Sequence, residues 1–164
     1  MSDLMRKSLL GRMMKSLPTC IAVLVLMFSA VAPSAAAEPE YFPVPGDDGR
    51  TLPFSDAVRV GDLLFLAGKL GNIPGGRELA AGGIAGETRQ TMENIKAALE
   101  RYGATMDDVV KCTVFLADMS EWAAMNAVYV SYFPRHKPAR SAVGVNGLAL
   151  GARTEIECIA AMGS

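Results

Sequence analysis

Near its C-terminus the chain reads PARSAVGVNGLALGARTEIECIAA, residues 138–161. Two runs with strand alternation, 140–145 and 154–160, flank a glycine-bearing turn at 146–151. In the second run Ile156 and Cys158 fall on one face, and Glu155, Glu157 and Ile159 on the other. Glu157 is therefore expected deep in an apolar strand, on the face of an isoleucine. A carboxylate buried there needs a partner, because an unpaired buried charge is costly. Arg140, at the mouth of the preceding strand, is the partner that the spacing offers. A guanidinium can grip a small carboxylate in bidentate fashion, and a neighbouring carboxylate can then act as general base or activate a water. On spacing alone, an edge-strand ion pair without chemistry is the commoner outcome.

The rest of the chain supplies the frame. Residues 54–60 and 63–67 read as a hairpin about Gly61-Asp62. Leu63-Leu64-Phe65-Leu66 is apolar on both faces, so this strand is expected to be covered on both sides. Residues 68–86 hold seven glycines in nineteen positions. They form either a loop whose backbone approaches a ligand or a surface loop with a short third strand. The Gly-Lys-Ser/Thr ending of a phosphate loop is missing. Thr88, Met92, Ile95, Leu99 and Tyr102 step by 4, 3, 4 and 3, which is one face of a helix over 87–102. Gly103 is a stop signal.

A strand over 109–117 follows, with Val110, Cys112, Val114 and Leu116 on one face. Ser120 is placed to cap a second helix. Its apolar face holds Trp122, Met125, Tyr129, Tyr132 and Phe133, with Asn126 beside it and Pro134 at its end. His136 sits in a connecting loop between Arg135 and Lys137, cations that disfavour its protonated form, and is set aside as a catalytic group. The order β-β-(β)-α-β-α-β-β predicts a two-layer α+β sandwich. Its mixed sheet of about six strands carries two helices on one face, and a partner could bury the other face.

Residues 1–37 differ in kind. Arg6, Lys7, Arg12 and Lys15 form a basic head, 21–32 is an apolar run, and Ala35-Ala36-Ala37 offers a cleavage site. These are the parts of a secretory signal peptide, and the apolar run is short of the about 20 residues that cross a bilayer. The expected organisation is a signal peptide over 1–37, a Pro-rich arm over 38–52 and one folded domain over 53–164. The mature protein is expected in the periplasm or outside the cell, with no membrane attachment after cleavage. Cleavage removes 4 of 16 basic and 1 of 17 acidic residues, leaving 12 and 16, a net −4. No basic patch for nucleic acid survives. Cys112 and Cys158 remain, both within apparent strands. Export would permit a disulfide, but pairing needs close Cα atoms, and two buried free thiols are the expectation favoured here. With one histidine and no Cys/His cluster, neither a metal nor another cofactor is expected.

PARSAVGV, a turn and then EIECIAA resemble the C-terminal signature of the Rid (YjgF/RidA) family. VGDLLFLAGKLG resembles that family's early strand and turn. ETRQTMENIKAALERYGATMDDVVKCTVFLADM resembles its first helix and following strand, and MNAVYVSYF its second helix, with Asn126 and Tyr129 as the Asn-x-x-Tyr pair. The likeness runs over about 53–162. It implies the chorismate-mutase-like fold and a closed homotrimer, with sheets lining a central barrel and sites in clefts between subunits. It implies hydrolysis of 2-imino acids such as 2-aminoacrylate to 2-keto acids and ammonia. Arg140 would clamp the substrate carboxylate and Glu157 would activate the attacking water. Gly68 and its neighbours would offer backbone groups. Phe54 stands where the family usually has tyrosine, Ala67 replaces a serine and Ala142 a cysteine, so with Asn126 they would line a more apolar pocket. The partner expected is a small imino or keto acid, and the alternative to the deaminase is a non-catalytic trimer that binds a small carboxylate metabolite. The ribonuclease label of some relatives fits poorly with the negative charge and with export.

Overall fold

The computed structural model describes residues 37–45 and 51–163; the expected signal peptide lies outside them, apart from Ala37. Nine main elements follow in order: β1 (Glu40–Pro45), β2 (Thr51–Val60), β3 (Leu63–Leu66), β4 (Lys69–Leu70), α1 (Gly83–Arg101), β5 (Val109–Leu116), α2 (Trp122–Tyr129), β6 (Ala139–Gly144) and β7 (Thr154–Ala161). The strands form one mixed sheet in the order β1-β2-β3-β7-β5-β6, and β4 also pairs with β7. Only β5 and β6 run parallel, joined through α2, as a parallel pair requires a crossover. The architecture is the expected α+β sandwich, with a seventh strand. That strand, β1, comes from the Pro-rich arm: Glu40, Tyr41 and Phe42 pair with Arg59, Val58 and Ala57.

Leu64, Leu66, Ala57, Val114, Leu116, Ile156 and Ala160 fill the sheet side of a single core. Met92, Ile95 and Leu99 of α1 and Met125 and Tyr129 of α2 fill the helix side. The other sheet face is open. Leu63 and Phe65 of β3 point there, and Phe65 is 38% exposed, so within one chain this strand is covered on one side only.

Three local expectations are corrected. The helix begins at Gly83, not at 87. The nearby glycines serve its first turn, since a Cβ on Gly86 would lie 1.9 Å from the Ala81 carbonyl oxygen. In β5 a bulge between Val109 and Lys111 turns Val109 into the core and leaves Val110 46% exposed. An extra residue shifts the alternation by one. Ser120 does not cap α2, which has no side-chain cap; a one-turn 3-10 segment, Met119–Glu121, leads into it, and there the Asp118 side chain accepts a hydrogen bond from the Ser120 backbone N–H.

Cys112 and Cys158 are paired, not free. The β5–β7 register sets them directly opposite each other, with Cα atoms 4.1 Å apart, and they form a disulfide within the core. Sequence gave the strands but not the register, and register alone decides whether two thiols converge.

Candidate functional site

Arg140 projects from β6, an edge strand of the sheet. Cys112 of β5 is the register partner of both Arg140 and Cys158. Residues directly opposite one another share a face, so Arg140 lies on the side of the helices. Its guanidinium stands 4.6 Å from the centre of the Tyr129 ring and 5.7 Å from that of Trp122. Asn126, one helical turn before Val130, comes to the same place. Together Asn126, Tyr129, Val130, Lys137, Pro138 and Arg140 line a recess of about 220 Å³. Burial pushes the Tyr129 phenol up to about 12, against the pull of Arg140, so it stays neutral. Its hydroxyl is buried without a hydrogen-bond partner.

Glu157 is elsewhere. It pairs in register with Thr113, which pairs with Ser141, one step along the strands from the row of Arg140. It therefore points to the open face, where it is exposed. It lines a smaller recess of about 140 Å³ with Phe65, Leu66, Lys111, Thr113, Cys158 and Ile159. The expected Arg140–Glu157 pair does not form within one chain. Strand β5 lies between β6 and β7, and the two side chains leave opposite faces of the sheet. Alternation within each strand gave each residue a face relative to its own neighbours, but not relative to the other strand.

A second carboxylate on the open face has more to recommend it. Glu155 pairs with Phe115 on one side and with Leu70 of β4 on the other. Its carboxyl lies against Gly68: a Cβ built on that glycine would sit 2.0 Å from Glu155 Oε1 and 2.9 Å from Cδ. Gly68 is thus a close-approach glycine. Burial, and then the charge of Glu157, raise the Glu155 carboxyl above the ordinary glutamate range. Ala67 precedes it, its N–H donating to the Asp56 carbonyl at 3.0 Å.

The site residues read from sequence therefore fall into separate places. Arg140 and Asn126 share the helix-side recess, and Ala142, opposite Val114, lies on the same face of β6. Gly68 lies against Glu155, and Ala67 is its neighbour in the chain. Phe54 is on β2, 54% exposed, with three strands between it and β6. His136 is an exposed loop residue whose Nε2 contacts the Asp107 carbonyl at 2.7 Å. Sequence reading passed over Glu155 and Lys137. Glu155 and Glu157 share a face and a motif, and only the approach of Gly68 separates them. Among the described residues no group of three potential metal ligands is present. None of the described helices is long and apolar enough to cross a membrane.

An α+β sandwich with one open sheet face, an arginine stacked in an acid-free recess at the sheet edge and a partly desolvated carboxylate against a glycine defines a small-molecule-handling domain. Residues 49–162 match the profile of the family described as Endoribonuclease L-PSP. The chain is 47% identical over 108 residues to a RutC family protein of Pyrococcus horikoshii, covering 66% of this chain and 86% of that one. It is 39% identical over 111 residues to the mouse 2-iminobutanoate/2-iminopropanoate deaminase, covering 68% and 82%. The crystal structure of RidA from the Antarctic bacterium Psychrobacter sp. superposes with a TM-score of 0.65 at 35% identity, covering 78% of this chain and 99% of that one. The chain belongs to the Rid (YjgF/RidA) family.

Proposed function

We propose that this protein hydrolyses 2-imino acids, and their 2-enamino tautomers, to 2-keto acids and ammonia. The observation that carries this reading is Arg140: a guanidinium held by aromatic stacking in a recess that contains no carboxylate. A planar fork left without an acid is suited to a carboxylate from outside. Relatives whose names state this activity support the reading.

In the proposed reaction Arg140 grips the substrate carboxylate. Glu155 takes a proton from a water, whose oxygen bonds to the imine carbon, and passes that proton to the nitrogen, giving a carbinolamine. The C–N bond then breaks as the hydroxyl proton moves to the nitrogen and the C=O bond forms, releasing the keto acid and ammonia. A carboxyl whose proton affinity is raised by burial is a better base than a solvated one. Imines hydrolyse readily in water, so orientation and charge placement can provide the acceleration. Glu155 replaces Glu157 in this role because Glu155 alone meets Gly68.

Arg140 and Glu155 leave opposite faces of one sheet, so the proposed site needs two copies. The open face with Leu63 and Phe65, and Val143 on edge strand β6, offers the apolar surface for this contact. A closed homotrimer would set the edge of one subunit against the Gly68–Glu155 side of the next. Export is part of the proposal. It rests on the character of residues 1–37, and the Cys112–Cys158 disulfide suits an oxidising compartment.

A second reading, a trimer that binds small carboxylic acids without turnover, draws on Ala67 and Ala142, which bring no polar side chain. The deciding experiment generates imino acids in place with an amino-acid oxidase and follows ammonia release or semicarbazide trapping. Accelerated loss of the imine by the purified protein supports the deaminase. Binding of keto acids with no acceleration would replace it with the binding protein.

A further inference from the structure

The Arg140 recess holds a second cation that the deaminase reading does not use. Lys137 stands in the same short run, Lys137-Pro138-Ala139-Arg140, and lines the recess with it. Its ammonium donates to the Val130 carbonyl at 3.3 Å and to the Phe133 carbonyl, the first residue and the C-cap of the 3-10 turn Val130–Tyr132 that follows α2. An ammonium carries a third donor, and that one remains. No carboxylate lines the recess. Among the described residues neither Lys137 nor Arg140 enters an ion pair, which they share with Arg77, Arg89, Lys96 and Lys111; of these six cations only Lys137 and Arg140 line this recess.

Two like charges in one recess repel each other, and a ligand with a single carboxylate compensates only one of them. The amide of Asn126, half-buried in the same recess, adds a neutral polar group but no charge.

We propose that the recess selects a small acid with two anionic groups, a dicarboxylic 2-imino or 2-keto acid. Its α-carboxylate lies on Arg140 and its distal carboxylate on Lys137. This rests on Arg140 as the carboxylate clamp and not on the hydrolytic step. Lys137 is thus a specificity-determining residue. Its effect belongs in affinity for the acid, because the distal group takes no part in the bond changes at the imine carbon.

The test is calorimetric titration of the purified protein with 2-oxoglutarate and oxaloacetate against pyruvate and 2-oxobutyrate. It is repeated with Lys137→Met and Lys137→Arg. The dicarboxylates are expected to bind about tenfold more tightly, the effect of one added charge-assisted contact. Lys137→Met should erase that difference and Lys137→Arg should keep it. Should Lys137→Met fail to fold for want of its bonds to the helix end, the four acids on the unaltered protein still decide. Equal affinity for both classes, a preference that survives Lys137→Met, or no binding of any acid overturns the inference. A dicarboxylate preference without imine hydrolysis sinks the deaminase reading alone. Hydrolysis of 2-iminopropanoate with equal affinity for both classes sinks this inference alone.

Discussion

The guanidinium of Arg140 lies 4.6 Å from the centre of the Tyr129 ring, and the hydroxyl of that ring is buried without a partner. The ring, not the hydroxyl, holds the arginine. Tyr129→Leu should raise KM about fivefold through the lost cation–π contact, with a smaller change in kcat. Tyr129→Phe keeps the stack and removes an unsatisfied polar atom, so it should stabilise the fold by about 1 kcal/mol. Steady-state kinetics and denaturant unfolding of both variants check this. A Tyr129→Phe protein less stable than the wild type would show that the hydroxyl has a partner.

The disulfide should contribute to stability. Cys112 and Cys158 close a loop with a sequence separation of 46. The Cys112→Ala/Cys158→Ala double variant should lose about 3 kcal/mol of unfolding free energy. Reductant should lower the wild-type midpoint and leave the double variant unmoved. Equal midpoints for the wild type with and without reductant, under conditions where thiol titration shows the bond reduced, would contradict this.

Asp56 should give the fold an acid limit. It accepts hydrogen bonds from the Lys69 ammonium, from the Tyr102 hydroxyl at 2.8 Å and from Arg101 at 3.4 Å. Burial pushes its carboxyl up, but the bonds from Lys69 and Tyr102 and the charges of Lys69 and Arg101 outweigh burial and hold it below the ordinary 3.8. A folded pKa below the unfolded one contributes stability above the unfolded value, lost as pH falls through the folded one. The wild type should therefore lose stability relative to Asp56→Asn as pH drops below about 4, the ordinary aspartate value. Asp56→Asn should be less stable at pH 7, and parallel stability curves for the two proteins would rule the account out.

Gly68 should be intolerant of a side chain for a reason of chemistry, not folding. A Cβ there would meet the Glu155 carboxyl at 2.0 Å. Gly68→Ala should displace that carboxyl and lower kcat by about 100-fold, the scale of a lost acid–base group. Its circular dichroism spectrum should match the wild type. Unchanged turnover would place Glu155 outside the chemistry.

Much of the fold was legible because apolar periodicity is local. The stripe Thr88, Met92, Ile95, Leu99 became the buried face of α1, and Gly103, at φ +82°, ended that helix. What was illegible depended on register between distant strands. The bulge at Val109, the disulfide and the opposite orientations of Arg140 and Glu157 are all set by which residue of β5 faces which residue of β6 and β7. The site suffered most. Two glutamates on one face of one strand look alike until the backbone of Gly68 comes against one of them. Lys137 looked like an ordinary loop cation until the recess placed it beside Arg140.

The most direct test compares single-turnover deamination of 2-iminopropanoate by the wild type, Arg140→Lys, Glu155→Gln and Glu157→Gln, all at matched enzyme concentration. Arg140→Lys should bind the acid weakly, because an ammonium cannot reproduce the two-point grip. Glu155→Gln should lose about 100-fold or more in the chemical step with little change in affinity, while Glu157→Gln stays within about threefold of the wild type, a difference of well under 1 kcal/mol in barrier. Loss of the chemical step in Glu157→Gln, with Glu155→Gln fully active, would contradict the assignment of the reacting carboxylate.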